Sequence, residues 1–362
     1  TFNGSDHIKE GIKIFTDNFA KSFIIAEERY FDFNEVRSNI LLLKIDMSGN
    51  KIKELNLAKE RLSEKLNYSL IEKNSILLLG LLGEEIFFSK IDTSLDVKFE
   101  KSYKIQNLEC RGFDIKYSNN GYELFLIGED INNSKYLVKI LTDNDGNKIN
   151  QQIKKIKYND SAAIKTINKI SGGFIIGGIL QDKKRNDDIY IERYTNNGDV
   201  KCSKIIGGKR PEKINDIIET KDGNIIIAGS TKSFSDTEDF YVVCVNKYGD
   251  ILWEKNYGSV YNEECVKITT IKDNKILLTG ISKTINTSYN NSYIVMIDNY
   301  GNKLKDTYIG DFYDPEENKN RISYTIFDVN IISNDEFLFT GSKDKYFFAG
   351  IEKEILYLKG KF

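Results

Sequence analysis

Three pairs of adjacent glutamates are the residues of this chain best suited to acid–base chemistry. They are Glu27-Glu28, Glu263-Glu264 and Glu316-Glu317. A glycosidase needs two carboxyl groups roughly 5–10 Å apart across a cleft, one of them acting as the acid. Adjacent residues on one loop do not reach that arrangement alone, although carboxylates from two separate segments could. Solvated surface charge is the simpler interpretation of all three pairs.

A second candidate for chemistry is the segment from Asp143 to Asn147, which reads DNDGN. Its alternating oxygen ligands are typical of a calcium loop, with Asp143 and Asp145 as carboxylate ligands. No glutamate stands at the last ligand position of an EF-hand, because the chain runs directly into a predicted strand. An Asx-Gly hairpin turn explains the same residues. Ca²⁺ therefore stays open as a ligand, and no other cofactor is expected.

Cysteine and histidine usage, charge and hydropathy exclude several classes of function. The 4 cysteines show no CxxC spacing and the 1 histidine is His7, so neither a Cys/His zinc site nor a His-dependent triad is expected. A formal net charge of −2 provides no field for nucleic acid. No apolar run reaches the length of a membrane span. Because the chain begins at Thr1 rather than Met, we expect a removed signal peptide or lipoprotein leader, with lipid anchoring as one possibility.

The chain consists of repeats of about fifty residues, and these repeats determine where the candidate glutamates and aspartates lie. Their marker ends the second strand of each unit and recurs at Glu27, Gly80, Gly128, Gly178, Gly229, Gly280 and Gly341. A period of this length, with several short strands per unit, is typical of a β-propeller. We therefore predict an all-β fold, a seven-bladed β-propeller of four-stranded antiparallel blades in one domain. The predicted blades are residues 8–57, 58–105, 106–156, 157–208, 209–258, 259–310 and 311–362.

The four predicted strands of each unit, A to D in chain order, differ in polarity. Strand A is amphipathic, B and C are apolar on both faces, and D carries Lys and Glu that suit an outer edge. Glycine-containing hairpin turns join C to D, as at Tyr248-Gly249-Asp250. In the seventh unit YFFAGI is predicted as strand C and ILYLKG as strand D, with the turn at Glu352-Lys353.

The repeat resembles that of a family of bacterial exported or surface propellers. The resemblance rests on DFYVV at Asp239–Val243 and GDILWEKNYG at Gly249–Gly258, and it is weakest in blades one, two and seven. Such repeats belong to the broad group that is similar to quinoprotein-like propellers. The resemblance implies the fold and an exported setting, and it carries no catalytic residues to transfer. A pyrroloquinoline-quinone site is not expected, because Trp253 is the only tryptophan and the docking repeat is absent.

The D–A and B–C links of a propeller lie on one face, and the long loops of this chain fall in those links. Loops on a rigid scaffold commonly carry binding chemistry. Aromatic residues concentrate there and predict an arc that binds sugar rings or peptide side chains; the alternative is that they pack back on the rim. The candidate binding residues are Tyr30, Phe31, Phe33, Tyr261, Tyr289, Phe312 and Tyr313, with Arg210 from a local basic cluster and Glu27, which replaces the marker glycine.

These features favour a non-catalytic, exported or cell-surface propeller that binds a protein or glycan partner on its long-loop face. We expect a monomer without nucleic-acid partners. A polysaccharide-active enzyme, a lyase or hydrolase with carboxylates in the central funnel, is the main alternative. A structural module of an envelope assembly is another. Two or three inward Asp or Glu side chains with Arg or Tyr at the channel mouth would favour the enzyme.

Overall fold

In a computed structural model the chain is an all-β, seven-bladed β-propeller of antiparallel blades, which confirms the predicted fold class. The structure describes residues 7–16, 21–32, 35–57, 64–72, 74–159, 161–180, 187–283, 290–310, 321–333, 336–347 and 350–361. Within these ranges the only helical segment is a 3-10 turn, Lys272–Asn274, and no helix is long and apolar enough to cross a membrane. Contacts divide the chain into two compact units, Thr1–Asp160 and Ser161–Phe362.

The first unit holds the strands of blades one to three, and within each blade a strand pairs with the next in sequence. In chain order they are β1 (His7–Thr16), β2 (Ser22–Asp32), β3 (Glu35–Ile45), β4 (Lys51–Asn56), β5 (Glu64–Glu72), β6 (Ser75–Leu82), β7 (Glu85–Asp92), β8 (Val97–Tyr103), β9 (Glu109–Ser118), β10 (Gly121–Glu129), β11 (Lys135–Asp143) and β12 (Lys148–Ile156).

The second unit holds blades four to seven with the same pairing rule. Its strands are β13 (Ala162–Ile170), β14 (Gly173–Leu180), β15 (Asp188–Thr195), β16 (Val200–Ile206), β17 (Glu212–Glu219), β18 (Ile225–Thr231), β19 (Asp239–Val245), β20 (Ile251–Tyr257), β21 (Asn262–Thr270), β22 (Ile276–Lys283), β23 (Asn290–Ile297), β24 (Lys303–Ile309), β25 (Arg321–Ile331), β26 (Glu336–Phe347) and β27 (Gly350–Lys361).

Blade seven differs from its predicted strand assignment. Its second strand β26 is 12 residues long and runs past the marker Gly341 as far as Phe347. The predicted turn residues Glu352 and Lys353 lie inside β27, paired with Lys345 and Asp344. The segments predicted as separate strands C and D are therefore parts of one longer hairpin, in which pairing continues past the marker Gly341 to Phe347 and Gly350.

The core of each unit lies between consecutive blades. In blade five every residue of β18 and β19 is buried, because blades four and six cover its two faces. Blades five and six share one such cluster, which includes Val242, Cys244 and Leu278. Blades one and two share another in the first unit. The D strands are largely exposed, as predicted for outer edges.

The first strand of every blade carries a β-bulge that the sequence pattern does not reveal. In blade five the pairing of β17 with β18 shifts between Ile214 and Asp216, and in blade six it shifts between Cys265 and Lys267. First strands of consecutive blades contact one another, β17 with β21 and β21 with β25. A bulge redirects the side chain that follows it. The residues after the seven bulges are Lys13, Tyr68, Asp114, Thr166, Asp216, Lys267 and Asp328.

Candidate functional site

Part of the predicted aromatic arc lies where the structure gives no description. Phe33, Tyr289, Phe312 and Tyr313 are outside the described residues. Tyr30 and Phe31 belong to β2, where they pair with Arg37 and Val36 of β3. The B–C link of blade one, predicted to be one of the long loops, is therefore mainly an extended hairpin. Glu27 also lies within β2, half-buried, opposite Glu10 and Ile40.

Two of the predicted site residues, Arg210 and Tyr261, lie beside one loop of blade five. The Arg210 guanidinium donates to the carbonyls of Lys232 and Ser235, at 3.3 and 3.2 Å. The backbone N–H of Tyr261 donates to Ser259 Oγ at 3.2 Å. The Ser259 carbonyl in turn accepts from Thr237 Oγ1 at 3.2 Å, which ties the two loops together. We call the three links 207–211, 232–238 and 258–261 the loop platform.

A buried glutamate holds each D–A link of the loop platform. Glu263 at the start of β21 is 0% exposed. Its carboxylate accepts from Ser259 Oγ at 2.7 Å, Ser259 N at 3.3 Å, Ser282 Oγ at 3.2 Å and Tyr308 OH at 3.3 Å. The interpretation of Glu263 as solvated surface charge is therefore wrong. Because the carboxylate is desolvated, burial raises the pKa of Glu263 despite its hydrogen bonds.

Glu212 repeats this arrangement one blade earlier. It occupies the same position at the start of β17 and is fully buried. Its carboxylate accepts from Gly208 N and Thr231 Oγ1, both at 2.9 Å, and from the hydroxyl of Ser233. Glu212 thus joins the preceding D–A link to the B–C link of its own blade, whereas Glu263 joins its D–A link to the end of β22 and to β24. The loops of the platform are pre-ordered by this recurrent network.

The loop platform presents apolar side chains to solvent between its hydrogen-bonded anchors. Val260 is 72% exposed, and Phe234 is 52% exposed although its ring lies 5.7 Å from that of Tyr241. Tyr261 next to Val260 is half-buried. An ordered surface with exposed apolar and aromatic side chains and a nearby guanidinium is typical of a protein-binding patch.

Charged side chains of the first strands form a second polar group beside the platform. Lys213 Nζ lies 2.7 Å from Glu238 Oε1 and 3.3 Å from Glu264 Oε2. Asn215, the bulged residue of β17, donates to Glu264 Oε1 at 2.9 Å and to the Cys265 carbonyl at 2.8 Å. Glu264, the outer member of the predicted acid pair, is therefore paired across the blade boundary.

Deeper along the same strands, the residues that follow the bulges form a largely buried ion pair, with the Asp216 side chain 7% and the Lys267 side chain 26% exposed. Lys267 Nζ lies 2.9 Å from Asp216 Oδ2. The same aspartate accepts from the backbone N–H of Ile217 at 3.0 Å and of Ile268 at 3.1 Å. Asp216, with Asp328 nearby, raises the pKa of Lys267 although burial opposes this, so the ammonium stays charged. A permanently charged lysine is neither a general base nor a Schiff-base nucleophile.

In the first unit the corresponding positions hold a tyrosine and an aspartate. Burial, reinforced by the neighbouring Asp114 carboxylate, raises the pKa of Tyr68 to about 12. The phenol therefore stays protonated near neutral pH and donates a hydrogen bond rather than accepting a proton. The Tyr68–Asp114 pair, like the ion pair of the second unit, therefore has a structural role and does not exchange protons near neutral pH.

The predicted calcium loop is a hairpin turn in the structure. Asp143 Oδ1 accepts from the backbone N–H of Asp145 at 2.9 Å and of Asn147 at 2.7 Å, and Oδ2 accepts from the Asn147 amide at 2.9 Å. These donors, with the Asn147 side chain foremost, lower the pKa of Asp143. Asp46, Asn246 and Asp298 accept equivalent backbone bonds in their own turns. Among the described residues no group of three or more His, Cys, Asp or Glu could hold a metal ion.

The turn role of Asp143 makes a prediction about two substitutions. Asp143→Asn should leave the melting temperature nearly unchanged, because Asn246 accepts the equivalent backbone hydrogen bonds in the turn of blade five. Asp143→Ala removes every side-chain acceptor of the turn and should lower it by a few degrees. Differential scanning calorimetry with CaCl₂ and with EDTA distinguishes the calcium hypothesis, since stabilisation by Ca²⁺ in the wild type that is lost in Asp143→Asn would contradict the turn role.

No family model matches the chain, and no curated protein matches it either. Among solved structures it is similar to puromycin hydrolase, with a TM-score of 0.55 at 10% identity over 99% of this chain and 52% of that chain. It is similar to Drosophila Semaphorin 2a, with a TM-score of 0.51 at 8% identity over 99% and 74%. The β-propeller domain of the Trilobed protease from Pyrococcus furiosus aligns with a TM-score of 0.48 at 10% identity over 98% and 95%.

The likeness is one of fold. At identities this low, matched strands carry no information about which side chains bind or react. This chain also spans only about half the length of the puromycin hydrolase that it matches. Function has to be argued from the chain's own side chains.

Sequence reasoning missed Glu212 and the residues that follow the bulges, and it named Glu263 only as a member of an acid pair. One signal was available: both glutamates stand two residues before the residue that pairs with a marker glycine, Gly229 or Gly280. This shared position relative to the marker glycine predicts that Glu212 and Glu263 have the same structural role. The presence of Glu264 next to Glu263 is a weaker guide to that role. The bulges had no signal, because an extra residue in an amphipathic strand leaves the spacing of the repeat unchanged.

Proposed function

We propose that this protein is a non-catalytic β-propeller, exported or exposed at the cell surface, that binds a protein or glycan partner on its long-loop face. The observation that carries the proposal is the loop platform of blade five. Buried Glu212 and Glu263 hold its links in place, while Val260 and Phe234 remain open to solvent. Pre-ordered loops reduce the entropy lost on binding.

The enzyme alternative draws on the carboxylates of the first strands. In the described residues of the second unit these carboxylates are engaged, Glu264 with Lys213 and Asn215, and Asp216 with Lys267 and two backbone N–H groups. A general acid and a nucleophile need an accessible pair flanking a substrate cleft. Internal pairing of this kind supports a binding function over catalysis.

The test is a combined variant of the loop platform, Phe234→Ala with Val260→Ser and Tyr261→Ala. Arg210 is left intact because its bonds to the Lys232 and Ser235 carbonyls hold the loop. Immobilised glycan and peptide arrays provide the probes. Truncation at the centre of a binding surface commonly costs about 2 kcal/mol or more, so we expect affinity to fall roughly 30-fold or further.

The matched control is Tyr248→Ala. This tyrosine is 68% exposed in the C–D turn of blade five and is not part of the loop platform. The control variant should bind as the wild type does. Equal losses in both variants, or array binding that the platform variant leaves intact, would contradict the proposal. A wild-type protein that binds nothing on either array would favour the structural-module alternative.

A further inference from the structure

A polar cleft lies between the outer strand of blade five and the C–D turn of blade six. Its volume is about 440 Å³, within the range of small-ligand sites. One wall is the end of β20 with Gly258 and Ser259 of the loop platform, and the other is the turn from Gly301 to Lys303. Asp239 at the start of β19 lines the interior and is buried.

Tyr257 joins the two walls of the cleft. Its phenol is buried and donates to the Gly301 carbonyl at 2.7 Å. Tyr103 of blade two makes the same bond to Gly146 in blade three. A recurrent bond of this kind holds neighbouring blades at a set separation. The cleft is therefore a preformed feature of the blade boundary rather than a gap between mobile loops.

Among the described residues, the cleft lining offers hydrogen-bonding groups that have no partner. Asn256 Nδ2 donates to Asp239 Oδ2 at 2.7 Å, and Asn302 Nδ2 donates to Asp298 Oδ2 at 2.9 Å, which leaves both amide oxygens as acceptors. The ammonium of Lys255 has no ion-pair or hydrogen-bond partner within the part of the chain that the structure describes. A ligand there meets both donors and acceptors.

The charges lining the cleft balance. Lys303 lies 2.9 Å from Asp306 and is neutralised by it. Lys255 and Asp239 then remain, one positive and one negative. A phosphate or another dianion would be repelled by the Asp239 carboxylate without a second unpaired cation to compensate. The arrangement suits a neutral ligand whose groups both donate and accept, as sugar hydroxyls do.

The boundary between blades four and five shows that the repeat does not require these polar side chains. There Ile205 stands at the position of Asn256, Ile206 at that of Tyr257, and Ile251 at that of Lys303. Lys204 corresponds to Lys255, and Asp188 to Asp239. The same backbone arrangement therefore forms with isoleucines at these positions. The polar side chains at the boundary between blades five and six are not required for the fold.

We propose that the cleft between blades five and six binds a sugar residue of a neutral glycan. This inference rests on the proposed function and names its ligand class. Lys255 and the Asn256 amide contact the sugar hydroxyls, and Ser259 continues the site into the loop platform. The glycan chain then extends toward Val260 and Tyr261.

The test titrates the full chain with neutral disaccharides, namely maltose, cellobiose, lactose and chitobiose, and with a galacturonate disaccharide as the acidic probe. Saturation-transfer NMR identifies a binder and calorimetry measures its Kd. Lys255→Ala and Asn256→Ile should each weaken binding of a neutral disaccharide about tenfold, the effect of losing one or two hydrogen bonds. Asn256→Ile should fold normally, since blade four carries isoleucine there. Lys204→Ala is the matched control and should bind as the wild type does.

The outcomes separate this inference from the proposed function. The loop-platform variant could abolish array binding while Lys255→Ala and Asn256→Ile leave it unchanged. That result would support the proposed function and overturn the sugar cleft. Wild-type protein that binds none of the neutral disaccharides also overturns the cleft. Preference for the galacturonate disaccharide would overturn the neutral-ligand assignment. Equal losses in Lys204→Ala and Lys255→Ala would show that the lysine acts without regard to the cleft.

Discussion

Replacing Asp216 with alanine is expected to lower the free energy of unfolding by about 3–5 kcal/mol, the cost of removing one partner of a buried ion pair. Lys267 would keep its charge with its nearest counterion gone, and the N–H groups of Ile217 and Ile268 would lose their acceptors. Urea unfolding followed by tryptophan fluorescence measures the change, since Trp253 reports from blade five.

A double-mutant cycle supplies the control for this prediction. Lys267→Met removes the charge and keeps most of the apolar stem, so the pair Asp216→Ala with Lys267→Met should recover a large part of the loss. The recovery is the signature of an uncompensated lysine rather than of a cavity. A cost below about 1 kcal/mol for Asp216→Ala alone, in the range of an exposed pair, would contradict the buried ion pair.

Replacing Glu263 with alanine is expected to cost about 3 kcal/mol, because three hydroxyl donors lose their shared acceptor and Ser282 among them is buried. Ser259, Ser282 and Tyr308 are those donors, and they belong to three different segments. Glu263→Gln keeps an acceptor oxygen of the same shape and should cost much less. Proteolysis in the link 258–261 should increase in the alanine variant and stay slow in the glutamine variant, since only the first loses the anchor.

The pH dependence of the glutamine variant tests the buried carboxyl directly. The folded-state pKa of Glu263 lies above its ordinary value of 4.5, so the folded protein binds more protons than the unfolded chain between those two values. The stability contribution of the protonated carboxyl is full below the unfolded pKa and is lost as the pH rises through the folded pKa. The unfolding free energy of the wild type should therefore fall relative to Glu263→Gln as pH rises from about 4.5. A parallel pair of curves would show that Glu263 is not desolvated.

Much of the fold could be predicted because the repeat combines two local signals. Alternating and continuous apolar runs distinguish strand A from strands B and C, and Gly at the C–D turns provides the positive φ, as at Gly249 with φ 89°. Blade seven departs from this pattern because hairpin length depends on how far two strands keep pairing. The turn of blade two also could not be predicted from local signals. Its residue Leu95 has a φ of 61°, a conformation that favours glycine, and burial of the leucine side chain maintains it.

The candidate site was far less predictable, and Glu263 and Glu264 show why. They are adjacent and identical in type, yet the first accepts from a loop serine, a strand serine and a tyrosine while the second meets Lys213 of the preceding blade. Successive side chains of a strand point to opposite sides, so the strand's facing decides which one is buried. That facing depends on neighbours about fifty residues away in the chain.

The sequence by itself determined an all-β propeller of seven units, the polarity of its strands and the polar turns, because each depends on contacts within one hairpin. Only the tertiary structure decided that Arg210 and Tyr261 flank one loop, that Asp216 meets Lys267, and that Asn256 and Asn302 line one cleft. These groups come from consecutive blades. They are brought together by the packing of one blade on the next and by the bulge in each first strand. Neither of these features can be predicted from the local pattern of residues.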